Sequence, residues 1–332
     1  MTGRRRPLGH STVEVGELAF GAAGIGNLFT PVSDADAEAA VTAAWESGVR
    51  YYDTAPHYGL GLSERRLGQA LRGRPRDEYV LSTKVGRLLR PAPAAEGDDL
   101  ADGFAVPATH RRVWDFSAAG VRRSIEDSLE RLGLDRIDVV YLHDPDDHAD
   151  QAISEAYPEL ARLRAEGTVG AIGAGMNQAE LLARFVRETD LDTVLLAGRY
   201  SLLDQRGLTE LLPLAAERGV GVVIGGVFNS GLLADPHPGA TFDYAAAPEE
   251  LLARALDLKA VCEQHGVPLR AAALRFPFGH PAVASVLVGT RNATEVRDAA
   301  AMLRHPVPQA LWAELKERGL LLPEVPTPQE CP

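Results

Sequence analysis

Cysteine is scarce in this chain of 332 residues, since only Cys262 and Cys331 are present. Two isolated cysteines exclude a disulfide framework and a cysteine-rich metal site, and they fit a reducing compartment, so we expect a cytoplasmic location. Long apolar runs are missing as well, because the longest, residues 220–228, has nine residues and includes three glycines. About 20 apolar residues are needed to cross a bilayer, so the sequence predicts no membrane-spanning segment.

Positive charge is also in deficit, with 34 Lys and Arg residues against 46 Asp and Glu residues and a formal net charge of -12. This acidic balance argues against nucleic acid and against an anionic membrane surface as partners, and we expect a small-molecule ligand instead. Hydrophobic residues make up 45% of the chain and charged residues 24%. Such a composition is ordinary for a globular protein with a large core.

Short apolar runs alternate with amphipathic stretches along the whole chain, a pattern that predicts eight strands, each followed by a helix. Eight such units favour a closed (β/α)8 TIM barrel of the α/β class, and we expect residues 1–332 to form one domain. The predicted strands are residues 18–21, 50–52, 79–82, 137–142, 169–172, 193–196, 220–224 and 283–288.

A doubly wound sheet is the structural alternative, and it would usually carry Gly-x-Gly-x-x-Gly straight after the first strand. Residues 21–26, Gly-Ala-Ala-Gly-Ile-Gly, lack that spacing. Two connections, residues 87–116 after strand three and 227–248 after strand seven, are longer than ordinary barrel loops. We expect both to lie over the carboxyl ends of the strands.

Four side chains that suit proton transfer lie at or near the ends of three predicted strands: Asp53, Tyr58, Lys84 and His143. In a barrel the carboxyl ends of the strands converge on one mouth, so we expect these side chains to meet there. Tyrosine has an ordinary pKa of about 10, but a neighbouring ammonium stabilises the phenolate and a carboxylate positions the lysine. The set predicts an enzyme with Tyr58 as its acid and base.

These four residues resemble the Asp, Tyr, Lys and His tetrad of the aldo-keto reductase superfamily. Residues 83–87, 143–146, 196–205 and 228–231 are similar to its aldose 1-dehydrogenase branch, which includes D-threo-aldose and L-fucose dehydrogenases. The resemblance implies hydride transfer from C1 of an aldose to NAD or NADP, giving a lactone. L-galactose dehydrogenases and a pyridoxal 4-dehydrogenase are similar over the same stretches, so pyridoxal or general aldehydes are alternative substrates.

The resemblance also implies a nicotinamide cofactor held across the barrel mouth without a Rossmann domain. Glycine-rich segments after strands seven and eight suit its pyrophosphate, because small residues let backbone N–H groups approach. The predicted cofactor-binding residues are Gly21, Asn177, Gly225, Gly226, Phe228, Asn229, Ser230, Gly231, Gly289, Thr290, Arg291 and Glu295, and the predicted substrate-binding residues are Trp114, Phe116, Arg199 and Tyr200.

Three positions depart from the commoner pattern of the superfamily. Gly225 stands where many members place an aromatic ring against the nicotinamide. Asn177 comes one residue later than the usual carboxamide ligand. Gly289 and Glu295 replace the Lys and Arg that NADPH-using members direct at the 2′-phosphate, and the Glu295 carboxylate would repel that phosphate, which favours NAD. Arg291 is the candidate cation that would restore NADP binding.

Two rival functions use the same residues. Lys84 at a strand end suits a Schiff-base aldolase if its pKa is depressed. A non-catalytic nicotinamide-binding sensor would keep the fold without turnover. A metal site is not expected: residues 143–148 contain possible ligands, but a barrel metallohydrolase would need His-x-His on strand one and an Asp ending strand eight, and residues 19–21 and 288–289 supply neither.

Overall fold

Eight parallel strands close into a barrel in which neighbours in sequence are neighbours in space, and the eighth strand pairs with the first. The computed structural model describes residues 5–92 and 97–329 of the chain. The predicted (β/α)8 barrel is confirmed. In chain order its strands are β1 (Leu18–Gly21), β2 (Tyr51–Asp53), β3 (Val80–Val85), β4 (Val139–His143), β5 (Ala171–Met176), β6 (Thr193–Ala197), β7 (Gly221–Gly225) and β8 (Val283–Gly289).

Helices connect the strands and cover the outside of the barrel. The first, α1 (Asp34–Glu46), begins at Ser33, whose side chain accepts a hydrogen bond from the Asp36 N–H at 3.1 Å. Within the described ranges no helix is long and apolar enough to cross a membrane. The other helices are α2 (Leu62–Leu71), α3 (Ala118–Leu132), α4 (Tyr157–Ala165, after short turns at Ala149–Gln151 and Ala152–Ala156), α5 (Ala179–Glu188), α6 (Leu211–Glu217), α7 (Glu249–Gln264), α8 (Leu269–Arg275), α9 (Ala293–Arg304) and α10 (Gln309–Glu317).

Strands β3 and β5 run further than the sequence pattern predicts, ending at Val85 and Met176 rather than at residues 82 and 172. Lys84 interrupts the apolar run of β3, but it is buried and ion-paired, so the strand continues through it. In β5 a Cβ at Gly173 would lie 2.4 Å from the Thr193 carbonyl oxygen, which explains the glycine. Because β3 extends to Val85, Lys84 is held by a strand and not by a loop.

The interior of the barrel is filled and closed at its floor, the end where the strands begin. Strand Arg5–Pro7 pairs with Glu14–Gly16 in an antiparallel hairpin. Leu8 and Val15 from this hairpin are buried against the interior cluster that includes Tyr51, whose side chain is fully buried. The hairpin therefore seals the floor and leaves the opposite end as the mouth.

Both long connections lie where the sequence places them, but each contains β structure that the pattern did not predict. The connection after β3 holds two antiparallel pairs, and the connection after β7 holds one. These segments are too short for a readable alternation of apolar and polar residues. The pairs are Arg87–Pro91 with His110–Trp114, Asp98–Asp99 with Phe104–Pro107, and Thr241–Phe242 with Ala245–Ala246.

Candidate active site

Lys84 is the centre of a hydrogen-bond cluster at the barrel mouth. Its Nζ atom donates to Asp53 Oδ2 at 2.6 Å, to the Thr54 carbonyl at 2.9 Å and to Tyr58 Oη at 3.1 Å. Asp53 is fixed in turn, because Ser82 Oγ donates to its other carboxylate oxygen at 2.7 Å. An ammonium has three N–H donors, so Lys84 is fully satisfied and points one of them at the phenol.

Electrostatics keep Lys84 charged. Burial by itself lowers the pKa of an ammonium, but the Asp53 carboxylate and Tyr58 outweigh burial, so the pKa of Lys84 is raised above its ordinary value. A lysine that keeps its proton cannot attack a carbonyl. This argues against the Schiff-base aldolase.

The pKa of Tyr58 differs from what the sequence suggested, which was that the neighbouring ammonium would stabilise the phenolate. Lys84 lowers it, as the sequence suggested, but burial has the larger effect, and the pKa of Tyr58 is raised above its ordinary value. At neutral pH the phenol therefore carries its proton in the free protein. Tyr58 is ready to act as an acid, and it acts as a base more readily as the pH rises.

His143 completes the cluster from the end of β4. Its ring is perpendicular to the Tyr58 ring, with centroids 5.8 Å apart. Burial, together with the cations of Arg87 and Lys84, lowers the pKa of His143 well below its ordinary value, so the imidazole is neutral. The structure thus brings together all four side chains that the sequence placed at or near strand ends, and of these Tyr58 is only partly buried.

More polar side chains line the wall beside Tyr58 and His143. Arg87 is 12% exposed and donates to Asp144 Oδ2 at 2.5 Å. Its guanidinium also lies over the Trp114 ring, 4.4 Å from the centroid, and its Nε has no hydrogen-bond partner among the described residues. His57 packs against His143 with ring centroids 5.7 Å apart. The wall offers several donors and acceptors to a hydroxylated molecule.

Glycines and an unpartnered hydroxyl form a candidate cradle at the ends of β7 and β8. A Cβ added at Gly231 or at Gly289 would meet nothing within 4 Å, so both positions face open space. Thr290 is 4% exposed, and its hydroxyl has no hydrogen-bond partner in the described structure. It lies just before α9, whose N-terminal N–H groups favour an anion. These residues fit the phosphate part of a nicotinamide cofactor.

Comparison with known proteins shows to which family the chain belongs. The model of the aldo/keto reductase family matches residues 17–319. The chain belongs to the aldo/keto reductase family. The resemblance inferred from the tetrad is therefore confirmed, and the chain is an oxidoreductase of a family that uses NAD or NADP.

Three relatives illustrate the range of similarity. A D-threo-aldose 1-dehydrogenase from Pseudomonas sp is 50% identical over 316 residues, which are 94% of this chain and 95% of that protein. A pyridoxal 4-dehydrogenase from Microbacterium luteolum is 42% identical over 335 residues, 96% of this chain and 98% of that protein. The holo form of an aldo-keto reductase from Bacillus halodurans superposes with a TM-score of 0.74 at 27% identity, covering 95% and 96% of the two chains.

In this aldo/keto reductase the predicted cofactor residues of the β7 loop divide into two groups. Gly226 and Gly231 have φ angles of +64° and +105° and shape the backbone. The Asn229 side chain is used internally, since it accepts from Ser201 Oγ at 2.5 Å and donates to the Gly198 carbonyl at 3.2 Å. Ser230 Oγ accepts from the Tyr244 N–H at 3.0 Å. Their side chains hold the loop, which leaves the backbone for ligand contact.

The other predicted cofactor residues lie at strand ends. Gly21 ends β1, and a Cβ there would lie 3.2 Å from the Val288 carbonyl oxygen, so the glycine permits close packing against β8. Gly225 ends β7, where a Cβ would make ordinary contacts with Leu195 and Ala197. Phe228 is partly buried against the core. Asn177 directly follows β5 and lines a small cavity.

Arg291 and Glu295 neutralise each other at the start of α9. The Glu295 carboxylate accepts from the Arg291 N–H at 2.8 Å and from its guanidinium at 3.2 Å. Asn292 caps the helix by accepting from the Glu295 N–H and donates back to the same carboxylate, each at 3.0 Å. The Glu295 carboxylate thus places a negative charge beside the start of α9.

The predicted substrate residues meet different outcomes. Trp114 is 43% exposed and lies beside Arg87 at the mouth, as expected. Arg199 lies beside the mouth but is tied to Asp243 at 2.8 Å. Tyr200 is a correction, because it is fully buried against Phe276. Phe116 is a second correction: it is fully buried and stacks under Trp114, with centroids 5.9 Å apart. The segments that carry Phe116 and Tyr200 therefore turn these side chains into the core.

The metal candidates of residues 143–148 do not gather. Asp144 is paired with Arg87, and His148 packs against Trp114. Across the described ranges no group of three or more His, Cys, Asp or Glu side chains has a metal-binding arrangement.

Sequence reasoning overlooked His57, Arg87 and Asp144 as site residues, although Arg87 and Asp144 lie inside stretches that carried the resemblance and His57 directly precedes Tyr58. The available signal was their position, since each directly precedes or follows a tetrad residue or ends the Thr-Lys-Val-Gly-Arg run. A side chain next to a strand-end residue is carried to the same mouth.

Proposed function

We propose that this aldo/keto reductase oxidises the C1 hemiacetal of an aldose to a lactone with NAD. The observation that carries the proposal is the chain of contacts from Asp53 through Lys84 to Tyr58, with neutral His143 facing the same phenol. Acid–base groups arranged in this way serve proton transfer at an alcohol or carbonyl oxygen.

The reaction follows from the positions of Tyr58 and His143. The anomeric hydroxyl lies between Tyr58 Oη and the His143 ring, and its proton passes to the phenolate form of Tyr58. C1 loses its hydrogen with the electron pair, and the C1–O bond becomes a carbonyl. A bound nicotinamide supplies the acceptor of that hydride. In the reverse direction protonated Tyr58 gives its proton to a carbonyl oxygen, and His143 orients that oxygen.

A sugar suits the wall better than an apolar aldehyde does. Arg87, Asp144 and His57 present charged and hydrogen-bonding groups beside the reacting position. Buried polar groups that lose water on binding need polar partners in the ligand. The relative at 50% identity is a D-threo-aldose dehydrogenase, which supports the same substrate class.

NAD is favoured by the start of α9. The Glu295 carboxylate pairs with the Arg291 guanidinium at 3.2 Å, so a 2′-phosphate would compete with Glu295 for Arg291. The carboxylate also repels that phosphate.

A steady-state substrate panel tests the proposal. We expect L-fucose, D-arabinose, L-galactose or L-xylose to reduce NAD with kcat/KM at least about tenfold above pyridoxal, which is about 1.4 kcal/mol of transition-state discrimination. The increase in NADH absorbance with time, recorded at each substrate concentration, measures the rate. Better turnover of pyridoxal would favour the activity of the 42% identical relative. Tight NADH binding without turnover of any aldose or aldehyde would contradict the enzyme and favour the sensor.

Replacing Glu295 by Gln tests the coenzyme preference. Gln keeps the side chain able to cap α9 but removes the negative charge. We therefore expect kcat/KM for NADP to rise about fivefold while NAD is nearly unaffected, because one charge near a phosphate is worth about 1 kcal/mol in water. Glu14→Gln, an exposed change of the same charge at the barrel floor, is the matched control. Equal NADP kinetics in the two variants would show that Glu295 does not select the coenzyme.

A further inference from the structure

Arg112 makes an unusual set of contacts with His57. It is 11% exposed and belongs to the paired strand His110–Trp114 of the connection after β3. Its Nε donates to His57 Nδ1 at 2.5 Å, and one of its terminal nitrogens donates to the His57 carbonyl at 3.0 Å. A guanidinium has only donors and stays protonated, so His57 Nδ1 must accept.

Two carboxylates hold Arg112 in this position. Asp99 accepts from both terminal nitrogens, at 2.7 and 2.6 Å, and Asp102 accepts from one at 2.9 Å. Together with the two bonds to His57 these use all five N–H donors of the guanidinium. The bidentate pair with Asp99, which is 7% exposed, fixes the guanidinium plane.

These contacts decide the protonation of His57. Because Nδ1 accepts, a neutral His57 carries its proton on Nε2. Charging the ring would put a proton on Nδ1 directly against the Arg112 N–H. Burial lowers the pKa of His57, and Arg87, Arg112 and Lys84 lower it further, to about 2. His57 is thus a permanent neutral donor from Nε2, and no described residue accepts that hydrogen bond.

The position of His57 indicates what Nε2 binds. Its ring lies 6.0 Å from the Tyr58 ring and 5.7 Å from the His143 ring, centroid to centroid. In the proposed function those two side chains hold the reacting oxygen, so the next oxygens of the sugar, the ring oxygen and the C2 hydroxyl, are the ones that come nearest to His57. The ring oxygen loses electron density as the hydride leaves C1, and a donor there would oppose the reaction. The C2 hydroxyl keeps its density.

We propose that His57, locked by Arg112 and Asp99 as the Nε2–H tautomer, binds the C2 hydroxyl of the aldose and selects 2-hydroxylated substrates. This rests on the proposed function. His57 is then a specificity residue that acts equally in the ground state and the transition state, so its loss raises KM more than it lowers kcat.

The kinetic test compares D-arabinose with 2-deoxy-D-ribose, which differs from it only by lacking the C2 hydroxyl. In His57→Phe we expect kcat/KM for D-arabinose to fall about tenfold, the value of one hydrogen bond. For 2-deoxy-D-ribose we expect a change within about twofold, because no C2 hydroxyl is lost. His57→Gln, which keeps a donor near the same position, should recover part of the difference. His110→Phe, a change of the same kind in the paired strand that carries Arg112, is the control. Equal losses for both sugars in His57→Phe would overturn the proposal.

A second measurement tests the lock without substrate. Long-range 1H–15N spectra of protein labelled at histidine distinguish the two neutral tautomers, and His57→Gln assigns the signal. We expect an Nε2–H signal that does not titrate between pH 5 and 8, because burial and the positive charges of Arg87, Arg112 and Lys84 all lower the pKa of His57. An Nδ1–H signal, or a titrating ring, would refute the lock. If wild-type enzyme oxidises no aldose of the substrate panel, the proposed function fails, whereas oxidation of both D-arabinose and 2-deoxy-D-ribose with equal losses in His57→Phe rejects only the role of His57.

Discussion

Replacing Tyr58 by Phe is expected to lower kcat for aldose oxidation by at least about 100-fold, within the roughly 10²–10⁴-fold range of general acid–base catalysis. Phe lacks the hydroxyl that we propose takes the substrate proton but keeps the ring that packs beside Phe104 and His143. Lys84 retains its bonds to Asp53 and Thr54, so its ammonium is not left unpaired. The barrel should therefore stay folded with an intact mouth.

The measurement needs a binding readout beside the rate. NADH fluorescence titration should give a dissociation constant within about threefold of wild type, since the cradle at β7 and β8 is untouched and a threefold change is under 1 kcal/mol. Tyr157→Phe, which removes a hydroxyl that accepts from the Asp190 N–H outside the barrel, is the matched control and should keep full activity. More than a tenth of wild-type kcat in Tyr58→Phe would mean that another group moves the proton.

Removing the charged pair behind Tyr58 is expected to shift the pH dependence of catalysis. Lys84→Met alone would leave Asp53, 1% exposed, as a buried unpaired charge at a cost of about 3–5 kcal/mol. The double variant Lys84→Met with Asp53→Asn avoids that cost. At pH 7 we expect aldose oxidation to fall about 100-fold, comparable with loss of general base catalysis.

The sign of the pH shift follows from the charges around Tyr58. Oxidation needs the phenolate, so kcat/KM rises with pH until Tyr58 is deprotonated. The Lys84 ammonium lowers the pKa of Tyr58 by more than the Asp53 carboxylate raises it, so without the pair the rise moves to higher pH. Reduction needs the protonated phenol and should extend to higher pH in the same variant. Rate profiles from pH 6 to 11, with thermal unfolding to verify the fold, check this. An unshifted profile would show that Lys84 does not tune Tyr58.

The sequence was sufficient for the tetrad because a closed barrel with sequential strands carries every strand end to one mouth. The scarcity of lysine is a further signal in the sequence that points to Lys84. The chain has only Lys84, Lys259 and Lys316, and its other basic residues are mainly arginines, so a lysine inside a strand is an exception. The buried, ion-paired position of Lys84 gives that exception its reason.

The contact between Arg112 and His57 was not predictable in the same way. It depends on the register of the paired strand His110–Trp114 and on Asp99 from the other pair in the same connection. Such short strands leave no periodic pattern. The burial of Tyr200 and Phe116 was missed for a related reason, since a strand-end position does not tell whether the following loop turns toward the mouth or back into the core.

The hairpin at the barrel floor gives the enzyme two separate poles. Leu8 and Val15 close one pole, and the cluster of Asp53, Tyr58, Lys84 and His143 lies at the other. A linker attached through the exposed Thr12, between the two hairpin strands, would tether the molecule with its entrance turned toward the surrounding liquid. Protein attached to an electrode or resin through Thr12 would keep its mouth accessible to sugar and coenzyme on every immobilised copy.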